Sequence, residues 1–230
     1  MESLPINNFL QMKFPRLGII EPFLSTLGDV PKSFTAYVHG EPGQGKTEFL
    51  VQLANHLCEF GKANWVSWEQ GFGADLHAAM ERNKMNRHSG RFVVTDPYKG
   101  KDPNETWLQY LDKRMGKRGS AHIWFFDSLE HSGLSKAEFM ELDRKYKEKK
   151  IMVWIGHSKG RHPDTPLGNK GKETCQMSIR VSKFIAYVEK NRYNGWQPYV
   201  VYDLKARELN PLFFAAQGKS KKVKTKRLKK

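Results

Sequence analysis

The sequence predicts an α/β fold: a mostly parallel central sheet flanked by helices, extended by antiparallel strands toward the C-terminal end. Two observations carry this. Five short apolar runs recur between residues 33 and 157, the first four each followed by a stretch of helical length and pattern. Strands spaced by helices of that length pair in parallel through right-handed crossovers. After residue 157 the rhythm changes to a loop rich in Gly, Pro and Lys, and then to three short strand-like runs with tight connections.

The elements follow in order. "SFTAYVHG" (33–40) reads as a buried strand, and a helix over about 45–60 carries Leu50, Leu53, Leu57 and Phe60 on one face. "ANWVSWEQ" (63–70) is the second strand and "ADLHAAMERNKM" the second helix, before a third strand, "RFVVTD" (91–96). Asp102 and Pro103 offer an N-cap and a first-turn proline for a helix through about Met115. "HIWFFD" is the fourth strand. Ser135 and Glu138 have capping-box spacing for the next helix, and "IMVWIGH" (151–157) is the fifth strand. Of the closing runs "SIRV", "FIAYVEKNR" and "QPYVVYDL", the last two flank Asn194-Gly195, a strong hairpin-turn signal. The strand tryptophans Trp65, Trp68, Trp124 and Trp154 read as core.

"GEPGQGKT", residues 40–47, fits the phosphate-binding pattern G-x-x-x-x-G-K-[ST] and lies between a strand and a helix, the context this loop requires. Gly40, Glu41, Pro42, Gly43, Gln44, Gly45, Lys46 and Thr47 are therefore the candidate nucleotide-binding residues. The glycines let backbone N–H groups turn inward around a phosphate, Lys46 reaches its oxygens, and Thr47 offers a hydroxyl to Mg²⁺. Asp127 ends the fourth strand at the edge that carries the loop, which makes it the second candidate Mg²⁺ ligand. Ser128 stands after it, where many nucleotide hydrolases carry a glutamate base. Glu69 ends the second strand and faces the terminal phosphate if that strand lies near the first; Glu130, three residues beyond Asp127, competes for the role.

A phosphate loop, a glutamate ending the next strand, an aspartate without a following glutamate and a polar residue ending the fifth strand resemble the RecA-like ATPases. DnaB-type replicative helicases and KaiC/RadA-like proteins are the nearest match, over about residues 34–204. The resemblance implies an ATP- and Mg²⁺-dependent NTP hydrolase with Glu69 as catalytic base. His157 would be the sensor of the γ-phosphate. The basic stretch 158–173, with Lys159, Arg161, Lys170 and Lys172, would be a nucleic-acid-binding loop, foremost for single-stranded DNA. "VEKNRYNG" resembles the K-x-R element that reaches a neighbour's ATP, here Lys190 and Arg192, so the family likeness implies a homo-oligomer, a hexameric ring or a filament.

Composition bounds the rest. The 230 residues carry a net charge of +15, and eight of the twelve residues from Lys219 to Lys230 are Lys or Arg. Such a block is normally a solvated tail with a polyanion as partner. Two cysteines supply neither a disulfide framework nor a Cys-rich metal site. No apolar run approaches a membrane span and the first residues lack signal-peptide order, so the expected location is the cytoplasm of a bacterial or phage-infected cell. The expected division is an N-terminal extension over 1–32, an ATPase domain over 33–210 and a basic tail over 211–230. The extension would pack over the nucleotide base or on the next subunit. A viral genome-packaging ATPase and a nucleotide-gated regulator or loader with little turnover are the alternative functions.

Overall fold

The computed structural model describes residues 3–216. Nine strands and eight helices follow in chain order: α1 (Ile6–Leu10), α2 (Leu24–Leu27), β1 (Phe34–Gly40), α3 (Lys46–Leu57), β2 (Ala63–Ser67), α4 (Ala74–Arg82), β3 (Phe92–Thr95), α5 (Trp107–Gly116), β4 (Ile123–Asp127), α6 (Lys136–Tyr146), β5 (Ile151–Lys159), β6 (His162–Pro163), α7 (Pro166–Thr174), β7 (Met177–Ser182), β8 (Ile185–Asn191), β9 (Tyr199–Val200) and α8 (Asp203–Leu209). The sheet runs β3-β2-β4-β5-β1-β7-β8-β9, with β6 paired to β5. From β3 to β7 every pairing is parallel; β7–β8 and β8–β9 are antiparallel. Among the described residues no helix is long and apolar enough to cross a membrane.

The central strands are apolar at nearly every position because both faces are covered. Ile123 and Phe125 of β4, with Ile151, Val153 and Ile155 of β5, pack under α3 and α4. Their neighbours Trp124, Phe126, Met152 and Trp154 fill the opposite layer with residues of α5 and α6. The four strand tryptophans are buried, as their positions predict. Residues 16–31 fold back on the first layer: Ile19, Phe23, Leu27 and Val30 are buried there, and Phe23 stacks on Tyr199 at 4.7 Å.

Several local expectations give way to tertiary or turn chemistry. The helix expected at Asp102 begins at Trp107, because Thr106 and Gln109 form a reciprocal capping box while Asp102 only turns the chain, accepting from the Asn104 N–H at 2.9 Å. Asn194-Gly195 does not close a two-residue hairpin. Asn194 does take positive φ (64°), but its segment pairs with Gly28, and β8 meets β9 only at its far end. The tight hairpin is at Lys183 and Phe184, both at positive φ, between β7 and β8. Finally, the 158–173 stretch is not one loop. Its second half is α7, with Gly168 and Gly171 turned onto Tyr37; a Cβ at either would lie 2.7 and 3.0 Å from that side chain. These glycines permit close packing of a helix.

Candidate active site at the carboxyl edge of the sheet

Residues 40–47 form the turn between β1 and α3. Gly43 and Gly45 have φ of 72° and 94°, a backbone that L side chains rarely adopt, and a Cβ on Gly45 would also stand 2.8 Å from the Phe184 ring. Lys46 Nζ donates to the Gly40 and Glu41 carbonyls at 2.7 and 3.1 Å, folded back over its own loop. Burial pushes its ammonium pKa down, against the pull of Glu69 and Asp127. Glu41 and Gln44 face away from the cradle. The Glu41 carboxylate accepts from the Gly160 N–H at 2.8 Å, and the Gln44 side chain accepts from the Lys183 N–H at 2.6 Å. These two side chains tether the loop to the β5–β6 and β7–β8 turns.

A cavity of about 870 Å³ opens over this turn, lined by Pro42, Gly43, Gly45, Lys46, Thr47, Glu69, Asp127 and His157 among others. Register explains the convergence: Gly40 pairs with His157 and Ser67 with Asp127, so four strand ends share one edge. Asp127 is 4% exposed, and its Oδ2 is buried with no hydrogen-bond partner. Burial, then the charge of Glu69, pushes its pKa up to about 7. An orphaned buried carboxylate oxygen and the Thr47 hydroxyl are oxygen donors of the kind a hard cation such as Mg²⁺ takes, so the residues fit that ion.

Glu69 reaches the cavity although β2 is not beside β1; β4 and β5 lie between them. The chain after β2 curls over the end of β4, with the Trp68 and Glu69 N–H groups both donating to the Asp127 carbonyl. There His157 Nε2 donates to Glu69 Oε2 at 3.0 Å. That bond lowers the Glu69 pKa and raises that of His157, so each side chain favours the charged form of the other. Glu130 points elsewhere: its Oε1 accepts from Tyr37 at 3.3 Å, and burial raises its pKa.

No family model and no curated protein matches the sequence. Solved structures do match. The flagellar accessory protein FlaH from Methanocaldococcus jannaschii is 17% identical, with 82% of this chain and 92% of that one covered at a TM-score of 0.56. A KaiC-like protein from the hyperthermophilic archaeon Pyrococcus horikoshii is 16% identical, with 81% and 93% covered at 0.58. The fold is RecA-like.

On this RecA-like frame the remaining candidates scatter. Lys159 and Arg161 are exposed on the β5–β6 turn, whereas Lys170 and Lys172 belong to α7, where Lys172 is spent on Glu189 at 2.6 Å. Lys190 Nζ donates to the Lys172 and Glu173 carbonyls at 3.3 and 2.6 Å, tying β8 to the end of α7; Arg192 is exposed. Both stand apart from this chain's own cavity lining. The 219–230 tail lies outside the described residues. Sequence reasoning missed Phe184 and Tyr202, whose rings meet edge-on at 6.2 Å and line the cavity. No periodic signal marks either: one sits in a turn and the other immediately before α8.

Proposed function

We propose that the chain is an ATP-hydrolysing motor of RecA-like architecture, acting on nucleic acid, single-stranded DNA foremost, as a homo-oligomeric ring or filament. The observation that supports it most is that a phosphate-binding turn, the orphaned carboxylate of Asp127 and Glu69 share one cavity. In this reading the N–H groups of the 40–47 turn receive the phosphates, and Lys46 exchanges its two carbonyls for phosphate oxygens. Thr47 and Asp127 hold Mg²⁺, which when bound neutralises charge on the phosphate oxygens. Glu69 Oε2 takes the proton of the attacking water. A carboxylate held low by His157 is a weak base, so Glu69 must first be released. His157 would release it by turning its N–H to the terminal phosphate, which makes it the sensor.

Nucleic acid would be met by Lys159 and Arg161 and by the tail over 219–230. The domain over 33–210 would carry residues 211–230 as a tail and residues 1–32 as an extension whose 16–31 stretch packs into its core. Arg192 would reach the neighbouring subunit's ATP, with Lys190 holding its strand to α7. A second reading, a nucleotide-gated regulator with little turnover, is favoured by the Glu69–His157 pair, which restrains the base at rest. ATPase rate with and without single-stranded DNA, together with mass by light scattering with and without ATP, separates the two. The motor reading expects DNA-stimulated turnover and ATP-dependent assembly; tight ATP binding without stimulation would instead establish the regulator.

A further inference from the structure

A second donor set surrounds Glu69. Glu69, His131 and His157 each offer a ligand atom, all lying within 4.8 Å of one another. Glu69 Oε2 is 3.0 Å from His157 Nε2 and 4.0 Å from His131 Nδ1, and the two imidazoles meet edge-on with centroids 5.7 Å apart. Ligands of a tetrahedral ion bound at roughly 2.0–2.1 Å stand about 3.3 Å apart. The Glu69–His157 pair is already near that spacing; His131 Nδ1 has less than an ångström to close toward Glu69 Oε2 and no more than about 1.5 Å toward His157. The His131 side chain is 51% exposed, and among the described residues its Nδ1 hydrogen-bonds just the Ser128 hydroxyl, at 2.7 Å.

The three segments are fastened to one another. The Glu69 N–H bonds the Asp127 carbonyl, the Leu129 N–H bonds the Ile155 carbonyl at 2.7 Å, and His157 continues the same β5 strand. Two imidazoles and one carboxylate suit Zn²⁺, Co²⁺ or Ni²⁺; Mg²⁺ prefers oxygen and water, so this set is chemically distinct from Thr47 and Asp127.

We propose that Glu69, His131 and His157 form a binding site for a d-block divalent cation, Zn²⁺ foremost, whose occupancy takes Glu69 away from water and stops hydrolysis. The binding half stands on the donor geometry; the inhibitory half rests on Glu69 being the base.

Co²⁺ titrated into the full chain without nucleotide or Mg²⁺ tests the site directly. The expected result is one equivalent bound, with the visible absorption of four- or five-coordinate Co²⁺, displaced by Zn²⁺. The band should be lost in His131→Gln and His157→Ala, checked for folding by circular dichroism, and retained in Lys46→Ala. Retention in Lys46→Ala holds whether or not the chain hydrolyses ATP, so failure of the hydrolase reading leaves this measurement intact. A spectrum of the aqueous ion, a band surviving both histidine variants, or a thiolate charge-transfer band from Cys58 or Cys175 would overturn the site. For the inhibitory half, buffered Zn²⁺ should suppress wild-type turnover. His131→Gln should keep wild-type turnover in the absence of Zn²⁺ and require at least about 10–100-fold more Zn²⁺ for the same suppression, since loss of a direct ligand costs no less than loss of an outer-shell partner. Full turnover with the site filled would overturn that half.

Discussion

The ends of β2 and β4 lie side by side, yet their carboxylates live under opposite conditions. Asp127 is buried, lacks a partner on Oδ2 and is pushed up to about 7, whereas Glu69 is part-exposed, accepts from His157 and is held below the ordinary carboxylate range. Burial without a partner makes a carboxylate that gains from a cation; pairing at the rim makes one that is ionised but restrained. The difference teaches that two acids on one sheet edge are assigned different work by their surroundings.

Three substitutions break or sharpen this contrast. The largest effect is expected of Glu69→Gln, which leaves the 40–47 turn intact but removes the proposed proton acceptor. Turnover should fall about 10²–10⁴-fold with ATP affinity retained, read by steady-state kinetics and equilibrium binding. Retained turnover would remove Glu69 from the base role.

Asp127→Asn should lower Mg²⁺-dependent turnover by a smaller factor than Glu69→Gln, yet raise the nucleotide-free Tm at pH 8. A carboxyl raised from 3.8 to about 7 binds its proton more tightly in the native than in the unfolded chain. Native stability therefore declines as pH rises across that window, and the asparagine escapes the decline. Each kcal/mol recovered is worth about 2–4 °C in a chain of this size, and the two proteins should converge near pH 4. An Mg²⁺ ion held by Asp127, as proposed, must compete with the same proton, so its apparent affinity should fall by up to tenfold per pH unit below about 7. A Tm gap independent of pH would mean that Asp127 is not the titrating group.

Glu130→Gln should have the smallest effect, leaving turnover within about twofold, because its carboxylate faces Tyr37 and the amide can still accept that hydroxyl. If Glu130→Gln is crippled and Glu69→Gln is not, the two glutamates have been read the wrong way round.

Much of this molecule is legible in its sequence because the determinants are local. The 40–47 turn needs glycine where φ is positive, Ser135 and Glu138 cap α6 from three residues apart, and strands buried on both faces must be apolar throughout. What is not legible depends on partners distant in the chain. Residues 166–174 contain two glycines, poor helix formers, that disguise α7; they are needed because Tyr37 occupies the space a larger side chain would fill, while Thr165 and Pro166 start the helix. Asn194-Gly195 carries a hairpin signal, but Gly28 claims its backbone, and the turn forms instead at Lys183 and Phe184. Glu69 was placed at a strand end by its apolar run. Only strand order and the curl of the chain over Asp127 bring it to His157, 88 residues away, because electrostatic surroundings are set by whatever packs nearby in space. The sequence by itself determined the glycine-rich 40–47 turn and the sheet that carries it; the tertiary structure decided which carboxylate is orphaned and which is paired, since burial and hydrogen bonding exist only once the strands have assembled.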